Sequence, residues 1–202
     1  MTRRSGRSLR RARQETLRTA RAMARSGLVT GSSGNVSQRF GDGFLITPTG
    51  IATDHLASRQ IVRLNEEGTK TSGRWEPSSE WRMHAAIYRD RPDVEAIVHT
   101  HSVHATAASL AMTELPVRHD EGRLLFGTRI LVSQHAPPGT WDLARAVFRA
   151  LGTARGALIA RHGAVAVGHS LDEALDLAIK IEEAAQLLLL ARQLDPLRAS
   201  AP

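Results

Sequence analysis

The sequence predicts an α/β protein in which helices flank an antiparallel or mixed sheet, and three observations carry that prediction. Short apolar runs joined by tight turns recur as hairpins, the first over residues 36–46 around Gly41-Asp42-Gly43. Stretches free of Gly and Pro, with apolar residues at helical spacing, lie between the strand runs, notably at residues 9–25 and 171–193. The order of elements lacks the regular strand–helix alternation of a doubly wound parallel sheet. At 202 residues and 42% hydrophobic the chain suffices for one domain with a sizeable core. Only 4% of residues are aromatic, so that core is aliphatic.

Taken in order, residues 9–25 place Leu9, Ala12, Leu17, Ala20 and Met23 on one side of a helix that ends near Gly27. A Gly/Ser loop at residues 31–35 leads into the first hairpin, which Pro48-Thr49-Gly50 breaks. Residues 61–64 and 69–75 flank a second turn at Glu67-Gly68. Residues 79–89 read as a helix capped by Ser79, with Glu80 in its first turn and Pro92 beyond its end. Residues 96–101 are a strand, 104–112 a helix, 127–132 a strand and 141–151 a helix. Strands at 157–160 and 164–167 are joined by Arg161-His162-Gly163, and a long helix follows Ser170 and stops at Pro196.

The formal charge of +7 is a local property. Residues 1–25 hold nine arginines and one acid, Glu15, so that segment carries +8 and the remainder is close to neutral. Such an arm is compatible with nucleic acid or with a transit peptide, but no aromatic residue precedes Phe40, so base-stacking platforms are missing there. The plainer expectation is a disordered basic tip over residues 1–8 followed by a solvated helix face. No run approaches a membrane span, no apolar signal core follows the basic residues, and cysteine is absent. A cytoplasmic protein without disulfides or thiolate metal ligands is expected.

The chemistry centres on His99-Thr100-His101. Side chains at i and i+2 of a strand share a face, about 6–7 Å apart, and two imidazoles so placed can converge on one ion. The pair sits at the end of an otherwise apolar strand, and a third imidazole, His162, occupies a turn between two apolar strands. Three histidines with an open position are a catalytic zinc arrangement. Glu80 is a fourth ligand or a general base. Gly34-Asn35, Thr49-Gly50 and Ser78-Ser79 are loops of the kind that receive anions, although each alone reads as an ordinary turn or cap. His84, four residues after Glu80, reads foremost as a packing residue and otherwise as a partner of the site.

Several segments together resemble the class II aldolase/adducin family: Gly34-Asn35-Val36-Ser37, residues 45–51, Pro77-Ser78-Ser79-Glu80-Trp81-Arg82 with His84, residues 98–106, and His162-Gly163. They occur in the family's order and span residues 9–195. The resemblance implies a three-layer α/β/α sandwich around a central mixed, largely antiparallel sheet, with residues 196–202 left as a tail. It implies Zn²⁺, or another divalent ion such as Mn²⁺, on His99, His101, His162 and Glu80, with Glu80 also the base. It implies Gly34, Asn35, Thr49, Gly50, Ser78 and Ser79 around a substrate phosphate. The expected reaction is retro-aldol cleavage of a ketose 1-phosphate through a metal-stabilised enediolate, in a homotetramer with active sites at subunit contacts. Decarboxylation, dehydration and epimerisation belong to the same scaffold. An adducin-like interaction domain is the non-catalytic alternative, and it lacks the histidines that this chain has. Two departures bear on substrate. Asp120 stands where fuculose-phosphate-type members carry a tyrosine, and the family's C-terminal tyrosine segment has no counterpart before Pro202.

Overall fold

The structure is a computed structural model that describes residues 8–194. The expected basic tip, Ser8 apart, and the expected tail over 196–202 lie outside the described residues. The chain runs α1 (Leu9–Arg25), β1 (Asn35–Phe40), β2 (Gly43–Ile46), β3 (Val62–Asn65), β4 (Lys70–Ser72), α2 (Trp81–Asp90), β5 (Ala96–Thr100) and α3 (Val103–Ala111). It continues through β6 (Glu114–Pro116), α4 (Asp120–Phe126), β7 (Arg129–Leu131), α5 (Trp141–Leu151), β8 (Gly156–Ile159), β9 (Gly163–Gly168) and α6 (Leu171–Leu194).

Seven strands form one sheet in the order β4-β3-β2-β1-β5-β9-β8. Every strand pair in it is antiparallel, so the expected mixed character is absent. The reason lies in the connections. Hairpins join β1 to β2, β3 to β4 and β8 to β9, and the crossover through α2 brings β5 back antiparallel to β1. The one parallel contact among the described residues is the isolated bridge of Val132 to Leu158.

Alternation along each strand builds two cores. Val36, Val98, Ala164, Ala166 and Leu158 face one way, against Ala12, Ala20 and Met23 of α1, Ala105 and Ala108 of α3 and the buried stripe of α6. Phe44, Ile97, Val165, Val167 and Ile159 face the other way, against Met83 and Ile87 of α2 and Leu143 and Val147 of α5. The result is three layers, α1/α3/α6, the sheet, and α2/α5. The α6 stripe of Leu171, Ala174, Leu177, Ala178, Ile181, Ala185 and Leu188 has the spacing of one helix face.

The arginines of α1 lie along a docked helix. Arg13 donates to Ser72 Oγ at 3.0 Å, Arg21 to the Leu56 carbonyl at 3.0 Å, and Arg18 approaches Asp172 at 3.4 Å. Strand β6, helix α4 and two 3₁₀ turns at Thr53–His55 and Ser58–Gln60 were not expected from the sequence. They are three to seven residues long, too short to establish a period, and Pro116 in β6 and Gly122 in α4 are poor formers of strand and helix. No described helix is long and apolar enough to cross a membrane.

Candidate active site

His99 is the fourth residue of β5 and His101 follows the strand end, so both project on the α2 face. His162 reaches the same point from the β8–β9 turn. Gly163 makes that approach possible: a Cβ there would lie 2.0 Å from the Thr100 carbonyl oxygen. Arg161, at φ 61°, takes the left-handed conformation that closes the turn. Gly34, at φ +69°, performs the equivalent task before β1, where a Cβ would lie 2.7 Å from the His99 carbonyl oxygen.

Glu80 comes from the start of α2. The helix begins at Trp81, and Glu80, not Ser79, occupies the cap position without a side-chain cap bond. Its carboxylate is turned instead into the cluster. Ser78 takes over the helix start, its Oγ accepting from Glu80 N–H at 3.3 Å and its carbonyl from Trp81 N–H at 3.1 Å.

The four expected ligands converge. His101 Nε2 lies 3.0 Å from both His99 Nε2 and His162 Nε2. Glu80 Oε2 is 2.9 Å from His99 Nε2, and Oε1 is 3.3 Å from His162 Nε2. One donor atom from each residue lies within 4.8 Å of all the others. His99 Nδ1 donates to the Ala164 carbonyl at 2.9 Å, so the neutral ring would offer Nε2 as its lone-pair atom to a metal. Tetrahedral ligands at about 2.0–2.1 Å from zinc stand roughly 3.3 Å apart, close to these separations. Glu80 Oε1 is buried without a hydrogen-bond partner, as a ligand or proton-transfer atom would be. The donor set fits a divalent metal.

Electrostatics agree with the geometry. Burial pushes the Glu80 carboxyl up, but the charge and hydrogen bond of His99, with His162 and His101, outweigh it and hold the group well below the carboxylate range. Burial, then the neighbouring His99 and His162, lowers His101 to about 4. His162 is lowered by burial and His99. Burial acts to lower His99 as well, but the Glu80 carboxylate raises it overall. His101 and His162, both lowered, are neutral and so competent as ligands at neutral pH.

The expected phosphate loops also meet here. Thr47–Gly50 runs beside Pro77–Ser79 through a Pro48–Pro77 bridge, a Ser78 N–H to Thr47 carbonyl bond of 3.0 Å and a Thr49 N–H to Glu76 carbonyl bond of 3.1 Å. Thr49, Gly50 and Ser79 are exposed, Gly34 is half-buried, and Asn35 and Ser78 are buried. Both ends of the Asn35 amide are engaged: one N–H of Nδ2 donates to Glu80 Oε2 at 3.0 Å and Oδ1 meets His84 Nε2.

His84 does more than pack. It is 0% exposed with both ring nitrogens hydrogen-bonded, the second to Ser37 Oγ at 2.7 Å. Burial, then His99, lowers it to about 3. Ser37 and Tyr88, which extend this chain of contacts, carried no expectation. The available signal was the four-residue spacing of Glu80, His84 and Tyr88. His104 serves the fold, its ring bonding Glu182 at 2.7 Å while that carboxylate also caps α3. Asp120 is exposed in the first turn of α4.

An antiparallel α/β/α sandwich with a three-histidine, one-carboxylate cluster at its sheet end suits metal-assisted catalysis. The chain belongs to the class II aldolase and adducin family, whose profile, described as the Class II Aldolase and Adducin N-terminal domain, matches residues 14–189. It is 40% identical over 176 residues to the L-fuculose phosphate aldolase of Escherichia coli K12, covering 87% of this chain and 81% of that protein. It is 38% identical over 167 residues to the 5-methylthioribulose-1-phosphate/5-deoxyribulose-1-phosphate aldolase of Rhodospirillum rubrum, covering 83% and 75%. A solved L-fuculose 1-phosphate aldolase superposes with a TM-score of 0.87 at 30% identity, over 91% of this chain and 87% of that one.

Proposed function

We propose that residues 9–195 form one catalytic domain, a zinc-dependent aldolase that cleaves a ketose 1-phosphate into dihydroxyacetone phosphate and an aldehyde. The observation that carries this reading is Glu80. Its Oε2 accepts from Asn35 and lies 2.9 Å from His99 Nε2, while Oε1 has no hydrogen-bond partner and lies 3.3 Å from His162 Nε2. His99, His101, His162 and Glu80 would hold the metal, and a nitrogen-rich set of this kind suits zinc, with manganese the second choice. A divalent ion there supplies Lewis-acid polarisation of the substrate carbonyl. Cleavage breaks one carbon–carbon bond: the hydroxyl on the departing carbon loses a proton as it becomes the aldehyde, and the other carbon gains one. Glu80 Oε1, ionised at rest, takes up the first proton and returns it to the second carbon, so the protons balance.

The phosphate falls to Gly34, Thr49, Gly50, Ser78 and Ser79, where exposed hydroxyls and backbone N–H groups surround the start of α2. Asn35 belongs to the same set: its amide gives one N–H to Glu80 and its oxygen to His84, and its second N–H is left for the phosphate. Binding at a phosphate remote from the reacting bond orients that bond. We place the enzyme in the cytoplasm, consistent with a chain that has no cysteine.

Fuculose 1-phosphate is not the preferred substrate in this reading. The single tyrosine, Tyr88, is 3% exposed with its hydroxyl bonded to Ser37, and so is not a proton donor for an aldehyde oxygen. Asp120, which stands where fuculose-phosphate-type members carry a tyrosine, is a carboxylate, which donates no proton when ionised. The decisive experiment is a screen of ketose 1-phosphates for dihydroxyacetone phosphate release. A 5-deoxypentulose 1-phosphate is expected to lead it. A kcat/KM for fuculose 1-phosphate above about 10⁴ M⁻¹s⁻¹ would refute the substrate assignment, and no release from any ketose 1-phosphate would refute the aldolase reading.

A further inference from the structure

Behind Glu80 lies a file of buried polar side chains that the cleavage step itself does not use. Glu80, His84 and Tyr88 stand one turn apart along α2, and Asn35 and Ser37 share the facing side of β1. The two sets interlock as Glu80–Asn35–His84–Ser37–Tyr88. Ser37 and His84 are 0% exposed, and Asn35 and Tyr88 3%. Phe44 packs on the Tyr88 ring at 5.2 Å, and the Arg39 guanidinium covers it at 4.8 Å.

The direction of every hydrogen bond follows from the first. An ionised carboxylate only accepts, so Asn35 Nδ2 donates to Glu80 Oε2 and Asn35 Oδ1 faces His84. An amide oxygen only accepts, so His84 carries its proton on Nε2 and presents a lone pair at Nδ1. Ser37 Oγ, 2.7 Å away, therefore donates to Nδ1 and accepts from the Tyr88 hydroxyl, also at 2.7 Å. All four donors point toward Glu80. The amide in the middle cannot pass a proton along, so the file orients and does not relay.

We propose that Asn35 and His84 are positioning residues that hold Glu80 Oε2 as a fixed acceptor and thereby keep Oε1 aimed into the histidine cluster. This rests on the reading of Glu80 as metal ligand and base. It gives the Asn35 side chain a task at the carboxylate in addition to its place in the phosphate loop.

The test compares His84→Gln with His84→Asn in the full chain. The Gln amide nitrogen can occupy the place of Nε2 and still donate to Asn35, whereas the Asn amide is too short. Each protein is stripped with a chelator and loaded with Co²⁺, whose visible spectrum reports a carboxylate ligand without any substrate. His84→Asn is expected to shift that spectrum and weaken Co²⁺ binding about 10–100-fold, and His84→Gln to match the wild type. With Zn²⁺ and a ketose 1-phosphate that the wild type cleaves, His84→Asn is expected to lower kcat about 10–100-fold with KM nearly unchanged. Equal losses in both variants, or a raised KM at unchanged kcat, would overturn the assignment. Should His84→Asn not fold, Asn35→Ala serves the same purpose: a lower kcat with a shifted Co²⁺ spectrum supports positioning, and a raised KM alone refutes it. If the wild type cleaves no ketose 1-phosphate, the aldolase reading fails, and the Co²⁺ comparison still decides the positioning role.

Discussion

In the proposed reaction His101 and Glu80 divide the labour of the site, and their variants should fail differently. His101 Nε2 sits between the other two imidazoles, 3.0 Å from each, so His101→Ala removes the middle of the donor set. Elemental analysis should find the metal lost along with activity; a variant that keeps full metal would place the site elsewhere. Glu80→Gln leaves three imidazoles in place but no base, so it should retain much of the metal while turnover drops at least about 10²-fold. The buried His84 sets an acid response as well. Its folded pKa of about 3 lies below the roughly 6.5 of an unfolded histidine. As pH falls below 6.5, the unfolded chain takes up a proton that the folded one refuses, so this group subtracts about 1.4 kcal/mol of stability per pH unit until it too protonates. His99, raised in the fold, acts with the opposite sign, adding stability at low pH that is lost as pH rises through its folded value. Urea midpoints of the chelator-treated protein should therefore fall from pH 6.5 to 5, and His84→Gln should flatten the slope. An unchanged slope would mean that His84 is charged in the fold.

Among elements, the β8–β9 turn and β5 depend on each other most closely. Gly163 packs on the Thr100 backbone so tightly that a Cβ would fall 2.0 Å from a carbonyl oxygen, which cannot swing aside as a side chain could. Gly163→Ala should cost about 1–3 kcal/mol, the range of overpacked cores. It should also weaken metal binding, because relief of the clash carries His162 away from His101. Thermal melting and metal titration check both; loss of stability with an intact metal affinity would show that the turn and the strand are uncoupled. The start of α2 illustrates the same interdependence. An ordinary Ser cap was expected at Ser79, but the cluster draws Glu80 into the cap position, and Ser78 satisfies the helix start instead.

For the whole molecule, the outer face of α6 bears on assembly. Leu188 is buried against the sheet layer, while Leu187 is 43%, Leu190 46% and Leu194 87% exposed. Leu187 and Leu188, with Pro116, Ala184 and Ala191, line a mostly apolar cleft of about 280 Å³ that Arg118 and His119 also border. Exposed leucines in a row suit a contact between subunits, and a homotetramer is the expected state. Sedimentation at micromolar concentration should give about four times the 22.0 kDa of one chain, and a mass near 22.0 kDa would refute it.

The helices α1, α5 and α6, the hairpins and the α/β class were legible in the chain because apolar periodicity is a local signal that tertiary packing here reinforces. The four cluster residues were legible for a related reason: His99 and His101 share a strand face by period alone, and the motifs around Glu80 and His162 match the family. Strand order was not local information, so the wholly antiparallel sheet and the short β6 and α4 emerged only with the fold. The same holds for Asn35 and His84. In sequence, Asn35 lies in a loop suited to phosphate and His84 on a helix face suited to packing. Only when β1 crosses α2 do periods of two and 3.6 bring Asn35, Ser37, His84 and Tyr88 into one hydrogen-bonded file behind Glu80. A side chain's donors are assigned by what it meets across space, and the sequence alone specifies the donors without the meeting.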